Sequence, residues 1–479
     1  MIDQLVVFGA TGDLTTRFLL PGLAALRAAG HLPGGFRLTC ASREQWSTAQ
    51  FREWANDQLD RHGTSSPRSA REAIVAATEY RPVDVSDQAS VAATVAGDAA
   101  VAVYLALPPA LFPVAVAGLD RGELRPGSRL VLEKPFGEDL ESAIRLNQQL
   151  AALLPESAIF RVDHFLAMTT VQNLLGSRLA NRIVESVWNS AHIAEIDIVW
   201  EEDLALEGRA GYYDGVGALK DMVQNHLLQL LCLVAMEPPL SLGERDLRDR
   251  KLDVLRATRE LTESDVLRHT RRARYAAGHI GQRDIPAYVD EYGVDRGRAT
   301  ETFAEVELRI ENWRWSGTRF RLRSGKAFAK EHKEVAVRFR EVPHLPFGHT
   351  GEETPNVLRF GLEPEGMSLD LVGIGAEPNH LTPLTLTGQM QPSALPAYGR
   401  LLLDVLNGDA ALSIRGDEAE EAWRVLTPVL SAWSKDLVPM DEYAAGSDGP
   451  HGELGTPVRD RGLDLGINGG WPPGGPFVG

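Results

Sequence analysis

The feature that most constrains this chain is a short apolar run, Leu5-Val-Val-Phe8, leading straight into Gly9-Ala-Thr-Gly12-Asp-Leu14. The helical spacing of Leu19, Leu20, Leu23 and Leu26 then carries it up to Gly30. Strand, glycine turn and helix follow one another without a linker. A second apolar strand, at 36–40, starts about 30 residues after the first, the length of a βα unit that returns parallel to its start. Further apolar runs at 101–106 and 129–132 alternate with helical stretches around 45–60, 87–96 and 110–120. Residues 1–165 therefore predict an α/β domain, a Rossmann-like doubly wound parallel sheet.

Beyond that point the rhythm changes. Segments 193–200, 302–310 and 334–340 alternate apolar and polar residues, as strands wet on one face do. Residues 166–479 predict an α+β domain built on a mostly antiparallel sheet with helices. From Gly446 the chain is rich in Gly, Pro and Asp, and is expected to lie over the surface or to be loosely ordered. No internal repeat is present.

Composition narrows the function classes. A chain of 479 residues exceeds one ordinary core, and two domains accommodate it. No apolar run approaches the roughly 20 residues of a bilayer-spanning helix, and the start lacks a basic and apolar leader. The two cysteines, Cys40 and Cys232, form no CxxC or His/Cys cluster. Neither a disulfide framework nor a metal site is expected, and a cytoplasmic location fits. A formal charge of −17, with no run of five basic residues, argues against a nucleic-acid partner. An anionic substrate would need a local basic pocket.

Gly9-x-x-Gly12 departs from GxGxxG spacing, yet small residues there would let a pyrophosphate approach a helix N-terminus. Ordinary turn chemistry is the competing reading. At the end of the second strand, Arg43 beside Ser42 favours the 2′-phosphate of NADP. Glu44 keeps NAD possible, and a solvated charge pair is the third alternative.

Several blocks then line up with one family. Gly9-Ala-Thr-Gly-Asp-Leu14, Glu133-Lys-Pro-Phe-Gly137, Arg161-Val-Asp-His164, Val171-Gln-Asn-Leu-Leu175 and Glu207-Gly-Arg-Ala-Gly-Tyr-Tyr-Asp214 are followed by Asp221-Met-Val-Gln-Asn-His226 and Arg323-Ser-Gly-Lys326. In order and approximate spacing the chain resembles the glucose-6-phosphate dehydrogenases, and Leu395-Pro-Ala-Tyr-Gly-Arg400 through Pro428 and Gly446-Ser-Asp-Gly-Pro450 extend the likeness. The resemblance implies a hexose substrate, phosphorylated in that family, NADP as cofactor and a homodimer or homotetramer. It implies that His226 takes the proton of the C1 hydroxyl while Asp163 orients it. Lys134, His164, Glu202, Asp221 and Lys326 would bind substrate. Gly9, Thr11, Gly12, Asp13, Leu14, Ser42, Arg43 and Lys134 would bind the nucleotide.

The residues alone allow other readings. His226 falls within the apolar stripe Leu219, Met222, Val223, Leu227, Leu230 and Val234, where a core histidine is the plainer assignment. Asp221 and His226, five apart, would lie about 140° apart around an α-helix, so spacing does not join them. The family pattern Arg-x-Asp-His-Tyr-Leu-Gly-Lys reads here Arg161-Val-Asp-His-Phe165-Leu-Ala-Met168. Glu331 and Glu363 stand where a basic residue and a glutamine are usual. Lys330, Lys333, Arg178 or Arg182 could make up the lost phosphate donors. A dehydrogenase of an unphosphorylated hexose and a non-catalytic nucleotide-binding paralogue are the alternatives these departures raise.

Overall fold

The computed structural model describes residues 1–121, 124–346, 355–375, 380–389, 391 and 393–450. The Gly/Pro-rich tail is described only as far as Pro450, and its remainder lies outside the described residues. The chain divides into two units, the first made of Met1–Thr169, Pro239–Leu252 and Pro392–Trp423. The second comprises Thr170–Pro238, Asp253–Gln391 and the chain from Arg424.

In the first unit, β1 (Gln4–Phe8), β2 (Arg37–Ser42), β3 (Thr78–Pro82), β4 (Ala102–Leu105), β5 (Arg129–Glu133) and β6 (Ile159–Val162) form one sheet, in the order β3-β2-β1-β4-β5-β6. Every pair is parallel. This is the doubly wound order, whose reversal between β1 and β4 opens a crevice at the strand C-termini. Strands buried on both faces need unbroken apolar runs, which is why Leu5–Phe8 and 102–105 were legible. Ser47 and Gln50 cap the helix Thr48–His62 reciprocally, and Asp139 with Ser142 does the same for Leu140–Leu153.

Two late segments return to this unit. The helix Ala397–Asn407 seats Leu402 and Val405 in the core with Leu19 and Leu23, and Ile2 N donates to Leu406 O at 2.8 Å. It ends on Gly408, whose φ of 83° supplies the left-handed turn that closes a helix. Lys251 and Glu418, both essentially inaccessible, pair at 2.8 Å between the other returning pieces.

The second unit holds β7 (Ile193–Glu201), β8 (Thr270–Ala276), the hairpin β9 (Gly278–Ile280) with β10 (Arg283–Ile285), β11 (Phe303–Leu308), β12 (Arg319–Gly325), β13 (His332–Phe339), β14 (Val357–Gly361), β15 (Gly366–Ile374), β16 (Leu381–Gly388) and β17 (Met440–Ala444). Nine of these form a sheet ordered β16-β15-β14-β13-β7-β12-β11-β8-β17. It is antiparallel except where β12 meets β7 and β17 meets β8.

The polar face of the central strands is not wet, contrary to the alternation. Glu195 and Asp197 of β7 lie buried against Arg321 of β12, which reaches Asp197 Oδ1 at 2.7 Å and Glu195 Oε1 at 3.1 Å. Ion pairs across neighbouring strands cover these side chains, which period-two patterning cannot distinguish from solvation. The helix Leu228–Ala235 is wholly buried, and its terminal carbonyls are satisfied by side chains. Arg178 donates to Leu233 O at 2.7 Å and Met236 O at 2.9 Å, while Trp188 and Trp315 reach Val234 O and Ala235 O. Among the described residues no helix is long and apolar enough to cross a membrane.

Candidate active site

In the first unit the glycine turn is built for close backbone packing. Gly9 has φ 82°, and a Cβ there would fall 2.1 Å from Ala106 O. At Gly12 a Cβ would meet Gly9 O at 3.1 Å. Gly9 N and Ala10 N both donate to Ala41 O, fastening the turn to β2. A helix begins at Asp13, passes through a π-type turn over Thr15–Leu19 and continues as Leu20–Ala28. Its N-terminus carries the partial positive charge that suits a pyrophosphate.

The end of β2 comes beside this turn. Thr11 Oγ1 lies 2.7 Å from Ser42 Oγ and donates to Glu44 Oε2 at 2.9 Å. Burial acts to raise the Glu44 carboxyl, but hydrogen bonds from its backbone, Thr11 and Ser42, with Arg43 nearby, hold it below the usual range. Glu44 is thus engaged within the turn. Arg43 is exposed, and among the described residues its side chain makes no hydrogen bond or ion pair. A cradle that excludes side chains, a helix N-terminus and an uncommitted guanidinium fit a 2′-phosphorylated dinucleotide.

Further along the same sheet edge, Lys134 follows β5 and Asp163 follows β6. The Lys134–Pro135 peptide is cis. Asp163 is buried, and its Oδ1 accepts from Phe165 N at 2.9 Å, opening the short helical turn His164–Ala167. Phe165 is buried, and His164 is half-buried with its ring against Tyr398. Parallel order therefore brings the nucleotide turn, Lys134, Asp163 and His164 to the same ends of neighbouring strands.

In the second unit His226 is 2% exposed, on a helix that is π-type over Leu219–Leu227. That register corrects the spacing argument. Hydrogen bonds from i to i+5 widen each turn, so residues five apart lie closer around the axis than in an α-helix, and the spacing of Asp221 and His226 no longer sets them on well-separated faces. The helix start is anchored by Glu301, whose Oε1 accepts from Leu219 N at 2.9 Å and whose burial raises its carboxyl to about 7. Glu301 was not foreseen. It is 82 residues from its partner and carries no motif of its own.

Glu202 and Lys326 meet because β7 and β12 are parallel neighbours ending in register at Glu201 and Gly325. The Lys326 ammonium pairs with the Glu202 carboxylate and lies 5.3 Å from the centre of the Tyr213 ring. Arg323 serves the framework, ion-paired with Glu201 Oε1 at 2.5 Å and placed over the rings of Phe303 and Phe328.

The departures from the family pattern also find places. Lys333 reaches Glu331 at 2.9 Å and Glu363 at 2.7 Å, over the Trp200 ring. Arg178 is committed to the helix carbonyls described above, whereas Lys330 and Arg182 are exposed. Of the four cations that could replace lost phosphate donors, two are thus already engaged.

Comparison with known proteins gives the family. The sequence model of the glucose-6-phosphate dehydrogenase NAD binding domain matches residues 6–173, and that of the glucose-6-phosphate dehydrogenase C-terminal domain matches 175–458. The glucose-6-phosphate 1-dehydrogenase of Zymomonas mobilis is 37% identical over 96% of this chain and 98% of its own. That of Rhizobium meliloti is 38% identical over 95% and 96%. Among solved structures, a glucose-6-phosphate dehydrogenase in complex with glucose 6-phosphate superposes with a TM-score of 0.85 at 28% identity, covering 94% of this chain and 95% of that one. The Mycobacterium avium enzyme gives 0.83 at 34% identity with the same coverage. With both halves matched, and with relatives above 30% identity along nearly the whole length, this chain belongs to the glucose-6-phosphate dehydrogenase family.

Proposed function

We propose that this protein oxidises C1 of glucose 6-phosphate to 6-phosphogluconolactone with NADP, in the cytoplasm. Family membership along the whole chain is the observation that carries this reading. NADP, when bound, accepts the hydride from C1. His226 takes the proton of the C1 hydroxyl as that hydride leaves, and Asp163 orients the imidazole and stabilises its charged form. Lys134 and the carboxylates of Glu202 and Asp221 hold the sugar hydroxyls, while His164 and Lys326 face the phosphate. Gly9, Thr11, Gly12, Asp13, Leu14, Ser42 and Arg43 hold the nucleotide together with Lys134.

The direct test is reduced-nicotinamide formation with glucose 6-phosphate against free glucose, using NADP and NAD in turn. Turnover of free sugar alone would overturn the substrate assignment, and no turnover of either would favour a non-catalytic paralogue. Arg43→Ala is expected to raise KM for NADP by roughly 10–100-fold, the worth of a charge-assisted bond of about 1.5–3 kcal/mol, while KM for NAD stays within a few-fold. Equal loss with both nucleotides would contradict the 2′-phosphate role.

The triad Glu331, Lys333 and Glu363 motivates a further expectation, because two carboxylates occupy a lysine that could face the anion. Glu363→Gln should raise kcat/KM for glucose 6-phosphate by about tenfold and leave free glucose unchanged, since one repulsion is removed and Lys333 is left with a single carboxylate partner, Glu331. An unchanged preference would place this triad away from the phosphate. We infer a homodimer or homotetramer, supported by Leu384 and Leu386 projecting from the outermost strand β16 at 48% and 53% exposure. A monomeric mass in light scattering would overturn it.

A further inference from the structure

Behind the motif residues of the first unit lie two side chains that the proposed chemistry does not use. Glu133 ends β5 directly before Lys134. The Tyr104 hydroxyl, from β4, donates to Glu133 Oε1, and the Tyr398 phenol, from the helix Ala397–Asn407, faces the same carboxylate. On its other side the Tyr398 ring lies nearly parallel to the His164 imidazole, 5.6 Å between centres and 19° between planes. It also packs against Phe18 at 5.1 Å. Tyr398 is 8% exposed, so its ring has little room to move.

An imidazole on a short helical turn can rotate about its Cβ–Cγ bond, and a phenol stacked on it fixes that rotation only if the phenol is itself held. Burial and the contact with Phe18 supply that hold, which the ring keeps without its hydroxyl. The Glu133 carboxylate beside it also faces Tyr104 from β4, Asp163 from the end of β6 and Lys134 at the next position. Burial lifts the Glu133 carboxyl to about 7, against Tyr104, Lys134 and Tyr398, which lower it, and with Asp163, which raises it further.

We propose that Tyr398 is a positioning residue for His164: its ring, fixed by burial and by Phe18, sets the plane in which the imidazole meets the substrate. This rests on the reading of His164 as a substrate contact. Tyr398 acts through His164, so its effect should appear in KM and pass through that residue.

The test is a double-mutant cycle in the full-length enzyme. Tyr398→Leu should raise KM for glucose 6-phosphate about tenfold with kcat within about threefold, whereas Tyr398→Phe, which keeps the stack, should recover most of that loss. In an His164→Ala background the Tyr398→Leu substitution should add less than about twofold. Equal losses with and without His164 would overturn the proposal, and so would an unchanged KM in Tyr398→Leu.

An independent readout is the His164 ring-proton NMR resonance in histidine-labelled protein, assigned through His164→Ala. It should be displaced by the Tyr398 ring current and should relax in Tyr398→Leu but hardly in Tyr398→Phe. A resonance insensitive to both variants would sink the proposal. If His164→Ala leaves KM unchanged, the substrate role of His164 fails, and the resonance still decides whether Tyr398 orients the ring.

Discussion

An enzyme carrying His226→Asn is expected to lose about 10²–10⁴-fold in kcat, the contribution of a positioned general base, while KM for glucose 6-phosphate changes by less than about tenfold. The reasoning is chemical. Asparagine can keep a hydrogen bond to the C1 hydroxyl but cannot accept its proton, so the loss should fall on turnover. The fold around His226 is well determined by its neighbours. Glu301 holds the helix start, and Arg178, Trp188 and Trp315 close the far end. The variant should therefore melt within a few degrees of the parent. Steady-state NADP reduction beside a melting curve checks both, and wild-type turnover in a folded variant would refute the assignment.

Gly9→Ala is expected to disable nucleotide binding and to weaken the first unit together. The left-handed backbone costs a non-glycine residue about 1–3 kcal/mol. A Cβ placed 2.1 Å from Ala106 O cannot be relieved by side-chain motion, because the obstacle is main chain directly after β4. Overpacking of that kind adds about 1–3 kcal/mol. The midpoint of thermal unfolding should fall by several degrees, and NADP should no longer raise it. A variant with parental melting and parental NADP stabilisation would show that the turn tolerates a side chain and is not the nucleotide cradle.

Sequence alone carried far where local physics is strong. The buried parallel strands declared themselves through unbroken apolar runs such as Leu5–Phe8, and the helix over Gln88–Val95 fell inside the expected stretch. Long-range returns were not legible. Nothing local in Ala397–Asn407 says that it completes the first core or that Tyr398 meets Glu133. The weak strand Thr78–Pro82 was passed over because only Thr78 and Tyr80 are buried.

At the site the residue types were readable but not their arrangement. Five-residue spacing separates Asp221 from His226 only if the helix has 3.6 residues per turn, and the π register removes that premise. Likewise Glu331 and Glu363 read as isolated departures, yet Lys333 joins them. The polar alternation of β7 suggested water, where ion pairs to Arg321 lie instead. In each case the missing information was which distant side chain arrives.

The most direct measurement follows deuterium from glucose 6-phosphate labelled at C1, with NADP and the intact protein. If C1 is the carbon oxidised, the label appears on the reduced nicotinamide and turnover slows with the heavier isotope when hydride transfer limits the rate. Unlabelled reduced nicotinamide, or no reduction while free glucose is oxidised, would contradict the account.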